Sequence, residues 1–159
     1  MHLAASSRAS LVFQPSDPDL AALASIDAWR LHLGLSNVRP ALALDASSEI
    51  WPVAHADAVI CINMIHIAPW RAAEGLLRGA GRLLGIGGLL FLYGPFRRDE
   101  RHTSASNEAF DHSLRAENPG WGVRDLEAVA ALARENGFGE PEVHAMPANN
   151  LSVFFERSA

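Results

Sequence analysis

The sequence predicts a doubly wound α/β fold, with a mostly parallel β-sheet and helices packed against it. Short apolar runs alternate with stretches of helical periodicity, which favours parallel strands joined by helical crossovers. The last two predicted strands, residues 142–145 and 151–156, are joined by a short link. A parallel crossover needs about a dozen residues or more, so this final pair is predicted to be antiparallel.

The first part of the chain contains one predicted helix among its strands. Residues 19–33 have apolar side chains near helical spacing, and Gly34 is a plausible helix stop. The run from Pro15 to Pro18 is rich in residues that break strands. Residues 58–63 are nearly all apolar, as expected for a strand buried on both faces. The predicted strands here are 11–14, 41–44 and 58–63.

The second part is predicted to continue the same alternation. Residues 70–84 form a helix that a glycine cluster at 85–88 ends, and residues 89–93 form the next strand. Residues 97–107 are polar and predicted to be a loop. Residues 124–135 form the last helix, which precedes the final antiparallel pair.

Composition excludes several classes of protein. The 159 residues suit one domain spanning 1–159, and the net charge of −5 argues against a nucleic-acid partner. No apolar run is long enough to cross a membrane, and the start is not a secretory signal. The single cysteine, Cys61, cannot form a disulfide within one chain, so we expect a cytoplasmic protein. A homo-oligomer is compatible with these numbers.

No metal site is predicted. Four histidines, His55, His66, His102 and His112, are scattered without the spacing of a helical metal site that has a third ligand.

Polar residues at the carboxyl ends of parallel strands are candidates for ligand binding. Asp17 could accept both hydroxyls of a ribose, because a carboxylate has two acceptor oxygens. Its alternative role is to cap the following helix. Asp45 could accept from an adenine amino group, and its alternative role is to form a turn.

The third and fourth strand ends carry further candidates. Asn63 could bridge a cofactor and a substrate, and His66 could act as a general base. Their neighbour Trp70 could face the site or pack at a helix start, and His66 could instead be a semi-buried structural histidine. Tyr93 could face substrate or pack at the sheet edge. Together these residues indicate a nucleotide-like ligand, without separating a methyltransferase from a nicotinamide enzyme.

Six ordered motifs resemble the methyltransferase-like protein twenty-six family, and they span nearly the whole chain. The motifs are residues 14–17, 63–70, 92–96, 106–107 with 110–111, 124–125, and 146–150. The family is similar to class I S-adenosylmethionine-dependent methyltransferases, whose mostly parallel sheet ends in an antiparallel hairpin.

The resemblance implies S-adenosylmethionine as cofactor, with Asp17 at the ribose, Asp45 at the adenine and Asn63 beside the methyl group. It implies that Asn63, His66 and Trp70 lie at the transfer site and that residues 97–107 form a substrate lid. The implied substrate contacts are Tyr93, Thr103, Ser106, Asn107, Asn149 and Asn150. Asn149 and Asn150 have an alternative role in a tight turn.

The start of the chain departs from the family. Its members begin earlier, with a strand and a glycine-rich turn of the type Ala-Ser-Gly-Thr-Gly, whereas Gly34 is the first glycine here and Met1 falls inside the expected first helix. We therefore expect a sheet without its usual first strand, and a natural protein that starts further upstream. The favoured function is methyl transfer to an unknown small or peptide-borne nucleophile. The alternative is an inactive fragment or binding subunit.

Overall fold

The computed structural model describes residues 2–6 and 11–159, and the chain divides into two compact units. Unit 1 is Met1–Pro52 and unit 2 is Val53–Ala159. Unit 1 contains the short helix α1 (His2–Ser6), β1 (Ser16–Asp17), α2 (Leu20–His32) and β2 (Leu42–Ala43). Met1, which the family resemblance places inside a helix, lies outside the described residues.

In unit 1, β1 and β2 form a parallel two-stranded sheet, and α2 connects them. The Oδ1 atom of Asp19 caps α2 by accepting hydrogen bonds from the N–H groups of Ala21 and Ala22, at 2.6 and 3.0 Å. Gly34 follows the helix with a φ of 60°, a left-handed conformation that glycine adopts without strain. The predicted helix at 19–33 and its glycine stop are therefore confirmed.

The predicted strand at 11–14 is displaced along the chain. Phe13 makes only an isolated parallel bridge to Val38, and regular pairing occurs at Ser16–Asp17. Pro15 does not end the pairing, because its carbonyl accepts a hydrogen bond from the Leu42 N–H at 2.9 Å. Proline lacks a donor but keeps its acceptor, so it is tolerated where the missing N–H has no partner.

Unit 2 is built on a four-stranded sheet with the strand order β3-β4-β9-β8. The pair β3–β4 is parallel, whereas β4–β9 and β8–β9 are antiparallel, as predicted for the final pair. A smaller sheet has the order β6-β5-β7. The strands are β3 (Ala56–Ile62), β4 (Leu84–Gly94), β5 (Phe96–Arg98), β6 (Arg101–His102), β7 (Arg124–Asp125), β8 (Glu142–Met146) and β9 (Asn150–Glu156). The helices are α3 (Trp70–Leu83), α4 (Ala105–Glu117) and α5 (Leu126–Glu135), with single 3-10 turns at Met64–His66 and Pro147–Asn149.

The core of unit 2 lies between the four-stranded sheet and helices α3 and α5. Leu90 of β4 and Val153 of β9 are fully buried, and they alternate with side chains on the opposite face. Leu77 of α3 and Val129 of α5 are also fully buried. Each of these side chains gains about 1.5–3 kcal/mol from leaving water.

The prediction that β3 is buried on both faces is wrong. Cys61 is buried, but Ile60 and Ile62 are 46% and 51% exposed. The strand lies at the end of the sheet, and it pairs only with β4 within the described residues. An apolar run indicates that a strand can be buried, but the position of the strand in the sheet determines how much of its surface is buried.

The prediction of a loop at 97–107 is also wrong. These residues form the strands β5 and β6 and the first turn of α4. The side-chain hydroxyl of Ser104 caps α4 by accepting from the Asn107 N–H at 3.2 Å. The glycine cluster at 85–88 follows α3, as predicted, but it lies within β4, which begins directly at Leu84.

The described helices are short, and the longest, α3, has 14 residues. Within residues 2–6 and 11–159, no helix has both the length and the apolar character needed to cross a membrane.

Candidate functional site

The candidate site is built on Asn63, which follows β3 directly. Its backbone has a φ of 59°, in the left-handed region, and its N–H donates to the Tyr93 carbonyl at 2.8 Å. The chain therefore leaves the sheet at once and enters the 3-10 turn Met64–His66. Asparagine tolerates this conformation better than most residues, and such strain is often concentrated at functional sites.

A pocket of about 350 Å³ opens beside Asn63. Its polar lining consists of Asn63, Ser106, Asn107, Asn149 and Asn150. Pro95, Phe110 and Ala148 supply apolar wall. All five polar residues were predicted as site residues from the sequence, and the structure brings them together from β3, α4 and the turn before β9.

Hydrogen bonds hold α4 against the turn before β9. The buried Asn107 donates from Nδ2 to the Thr103 hydroxyl at 3.0 Å and to the Asn149 carbonyl at 2.9 Å. Asn149 donates from its own Nδ2 to the Ser106 hydroxyl at 3.2 Å. Ala148 and Asn149 both have left-handed backbones, with φ values of 59° and 58°. These contacts fix a strained turn in the pocket wall.

Tyr93 and Thr103 support the pocket from behind its lining. The Tyr93 hydroxyl accepts a hydrogen bond from Asn150 Nδ2 at 3.2 Å, and Thr103 accepts from Asn107. Both were predicted as substrate contacts, but neither lines the pocket. Their substrate role remains a prediction, and the structure gives each a role in positioning an asparagine.

His66 is completely buried and is a hydrogen-bond acceptor at one ring nitrogen. Its Nδ1 faces the Arg124 N–H at 3.2 Å, and its ring packs edge-on against Phe96, with centroids 4.9 Å apart. Burial lowers the pKa of His66 to about 3, and the positive charge of Arg124 adds to this effect. The ring is therefore neutral near pH 7, and its proton lies on Nε2, because Nδ1 must accept.

The buried Nε2–H of His66 has no hydrogen-bond partner among the described residues. It lies close to Gly94 and Asn63. A Cβ atom on Gly94 would lie 2.6 Å from His66 Nε2 and 3.0 Å from Asn63 Oδ1, so only glycine fits here without displacing a neighbour. A neutral imidazole whose available nitrogen already carries a proton cannot accept another there. The structure thus favours the structural alternative for His66 over a general base.

Arg124 fixes the segment that follows Asn63, a role that the sequence patterns did not reveal. Its Nε donates to the Ile65 carbonyl at 2.8 Å. One terminal nitrogen donates to the carbonyls of Ala68 and Gly120, at 2.6 and 2.8 Å. The guanidinium also lies 5.7 Å from the centre of the Trp70 ring. Trp70 begins α3 and does not line the pocket, which fits its predicted alternative as a helix-start residue.

Asp111 anchors α4 to the turn before β7. Its carboxylate accepts from the Val123 N–H at 2.6 Å and from Arg115 Nε at 2.9 Å. Burial alone would raise the pKa of Asp111, but these hydrogen bonds and the charge of Arg115 outweigh burial and lower it. The carboxylate is therefore ionised and structural.

The predicted cofactor aspartates belong to unit 1. Asp17 ends β1, is half-buried, and accepts the Asp19 N–H at Oδ1 at 2.9 Å. Asp45 follows β2 and accepts both the N–H and the hydroxyl of Ser47, at 2.8 and 2.7 Å. Asp45 thus forms the turn that was its alternative role. Neither cofactor role is tested by these contacts.

No group of three or more potential metal ligands occurs among the described residues.

One known protein family matches this sequence over nearly its whole length. A profile of the DUF938 family, described as proteins of unknown function, matches residues 1–157. The chain belongs to this family.

Solved structures resemble this DUF938 protein at low identity. The S-adenosylmethionine-dependent methyltransferase SibL in its apo form matches with a TM-score of 0.76 and 24% identity, over 94% of this chain and 44% of SibL. An O-methyltransferase family protein from Burkholderia thailandensis matches with a TM-score of 0.79 and 18% identity, over 94% and 44%. Human N-acetylserotonin methyltransferase in complex with S-adenosylmethionine matches with a TM-score of 0.66 and 13% identity, over 77% and 34%.

These likenesses establish the fold. The chain has the Rossmann-like α/β fold of class I methyltransferases, as the sequence predicted. It spans less than half the length of each of these structures.

The buried neutral His66 predicts a pH-dependent stability. The folded pKa of about 3 lies below the ordinary value of 6.5, so the unfolded chain binds the proton first. The free energy of unfolding is therefore unaffected by His66 above about pH 6.5. Below that pH it falls by up to about 1.4 kcal/mol per pH unit until about pH 3, because the unfolded chain binds a proton that the folded chain does not. The measurement is urea unfolding from pH 7 to pH 4.5 for the wild type and for His66→Asn, whose carboxamide oxygen can replace Nδ1 as the acceptor. The variant should show a smaller fall, and equal falls would show that His66 titrates normally.

The three carbonyl contacts of Arg124 predict that lysine cannot replace it. An ammonium group cannot reproduce the fork geometry, so the partly buried carbonyls of Ile65 and Ala68 lose their donors. We expect Arg124→Lys to lower the free energy of unfolding by about 2–3 kcal/mol. The matched control is Arg134→Lys, which alters an exposed ion pair to Glu140 and should cost less than about 1 kcal/mol. Similar costs for both variants would mean that Arg124 does not hold this segment.

Proposed function

We propose that this chain is an S-adenosylmethionine-dependent methyltransferase whose acceptor substrate binds in the pocket beside Asn63. The main support is the position of this pocket at the carboxyl end of β3, where ligands of parallel α/β sheets bind. Its polar lining comes from residues that the sequence predicted for cofactor and substrate. The methyltransferase fold supports the same assignment.

The chemistry of Asp17 fits the ribose of the cofactor. One carboxylate oxygen accepts the Asp19 N–H, and no other described residue donates to the second oxygen. A ribose presents two hydroxyl donors, and a half-buried carboxylate is a suitable acceptor for them. We propose that Asp45 and Asn63 contribute to the adenine and methionine parts, as the family resemblance implies.

The residues around Asn63 favour alignment over acid–base catalysis. When bound, S-adenosylmethionine would supply an electrophilic sulfonium methyl group for a nucleophile of the acceptor. Positioning accounts for most of what a protein can add to such a displacement. The rigid turn after β3, fixed by Arg124 and by neutral His66, suits this role.

Several finer features belong to the same proposal. We propose a single methyltransferase-like domain over 1–159, a cytoplasmic location, no nucleic-acid partner, no metal and an acceptor that is a small or peptide-borne nucleophile. The relation to the methyltransferase-like protein twenty-six family also remains a proposal, and the six ordered motifs support it.

The proposal predicts binding of S-adenosylmethionine and S-adenosylhomocysteine to the 159-residue chain in calorimetric titrations. Asp17→Asn should weaken both ligands by about tenfold or more, because a charged hydrogen bond contributes about 1.5–3 kcal/mol. Asparagine keeps the acceptor for the Asp19 N–H, so the local turn should survive. The exposed Asp57→Asn is the matched control and should bind as the wild type does.

The outcomes separate the alternatives. Binding by the short chain supports the cofactor role of Asp17 and shows that a preceding glycine loop is not required. Binding only by a longer chain, extended upstream of Met1, would assign the cofactor site to the longer form. If neither form binds, the methyltransferase proposal fails and the chain is better described as an inactive binding subunit.

A further inference from the structure

We propose that the pocket beside Asn63 selects an uncharged, ring-bearing acceptor that carries a carboxamide or hydroxyl group. This inference rests on the proposed methyltransferase function for the reaction, but the selectivity itself is a property of the pocket. It follows from the charge, the hydrogen-bonding groups and the apolar walls of the pocket.

The pocket has no charged wall. None of the eight described residues that line it is ionisable, and four of them are asparagines. Asp111, one helical turn from Asn107 on α4, accepts from Val123 and Arg115, and it does not line the pocket. A charged ligand would therefore leave water without finding a counter-ion, which is unfavourable. The chain's net charge of −5 further disfavours an anion.

The amide of Asn107 has a fixed orientation. Its Nδ2 lies 2.9 Å from the Asn149 carbonyl, and a carbonyl can only accept, so the group facing it must be the NH₂. The second proton of this NH₂ goes to Thr103 at 3.0 Å. The oxygen of Asn107 is consequently the only group of this amide left for a ligand, and no other described residue donates to it.

The other asparagines offer both donors and acceptors. Asn149 and Asn150 each use one side-chain N–H, towards the hydroxyls of Ser106 and Tyr93. Each keeps a second N–H and a carboxamide oxygen without a partner among the described residues. A ligand that both donates and accepts, as a carboxamide or hydroxyl does, matches this set better than a group that only accepts or only donates.

The apolar walls favour a flat ring. Phe110 is 41% exposed although it is aromatic, and it lines the pocket together with Pro95. A volume of about 350 Å³ is enough for one small ring with a polar substituent. The expected acceptor is thus a small neutral ring, or such a ring at the end of a peptide side chain.

Benzamide, benzoate and benzamidinium test this inference, because they have nearly the same shape and differ in charge. Each is titrated into the ¹⁵N-labelled 159-residue chain without cofactor, and the asparagine side-chain amide resonances are followed. We expect benzamide to shift the pocket asparagines and to bind at least about tenfold more tightly than either ion. Equal or tighter binding of an ion, or no shift with any of the three, would overturn the inference.

The variant Asn150→Asp tests the inference by introducing a negative charge into the pocket. The Tyr93 hydroxyl can donate to the new carboxylate, so the local contact is kept, and a single negative charge enters the pocket. Benzamidinium should then bind at least about tenfold more tightly than it binds the wild type. Asn118→Asp is the matched control, since Asn118 accepts the Gly120 N–H at Oδ1 outside the pocket lining, and it should bind benzamidinium as the wild type does. An unchanged affinity of Asn150→Asp for benzamidinium would contradict the inference.

Failure of this inference is distinguishable from failure of the proposed function. If benzamide binds and S-adenosylmethionine does not, the inference of a pocket for neutral ligands stands and the proposed methyltransferase function fails. If the cofactor binds and benzamide has no effect, the proposed function stands and the inferred substrate class is wrong.

Discussion

The arrangement of the site depends on the guanidinium of Arg124. Within one side chain it satisfies carbonyls of Ile65, Ala68 and Gly120, and its backbone N–H donates to the ring of His66. Ile65 and Ala68 lie between β3 and α3, where no strand pairing satisfies their carbonyls, and a partly buried acceptor without a donor is costly. The Arg124 guanidinium therefore supplies hydrogen bonds that backbone N–H groups would supply in a regular helix or sheet.

The chemistry of the site follows from this constraint. Because the segment is fixed, Asn63 is held in a left-handed backbone conformation, and His66 is buried with its Nδ1 as an acceptor. Burial keeps the imidazole neutral, so the centre of the site has fixed dipoles and no mobile proton near pH 7. Such an environment suits the alignment of a methyl donor with an acceptor better than it suits proton transfer.

Sequence patterns predicted the elements that depend on local periodicity. Helices α2, α3 and α5 and the antiparallel pair β8–β9 are confirmed, because apolar spacing, a glycine stop and a short link determine them. The strand-end rule also selected Asn63. The other asparagines that line its pocket, Asn107, Asn149 and Asn150, were predicted only through the family resemblance. Helix α4 was missed, since its sequence is polar and Asp111 and Asn107 tie it down through partners distant along the chain. The exposure of Ile60 and Ile62 depends on strand order, which local patterns do not encode.

The central proposal is that Asn63 marks the site of methyl transfer. A crystal structure of the 159-residue chain with S-adenosylhomocysteine tests this most directly. We expect the homocysteine part of the ligand to contact Asn63 and to leave the asparagine-lined pocket open for an acceptor. A ligand bound away from Asn63, or one that fills the space between Asn107 and Asn150, would contradict it.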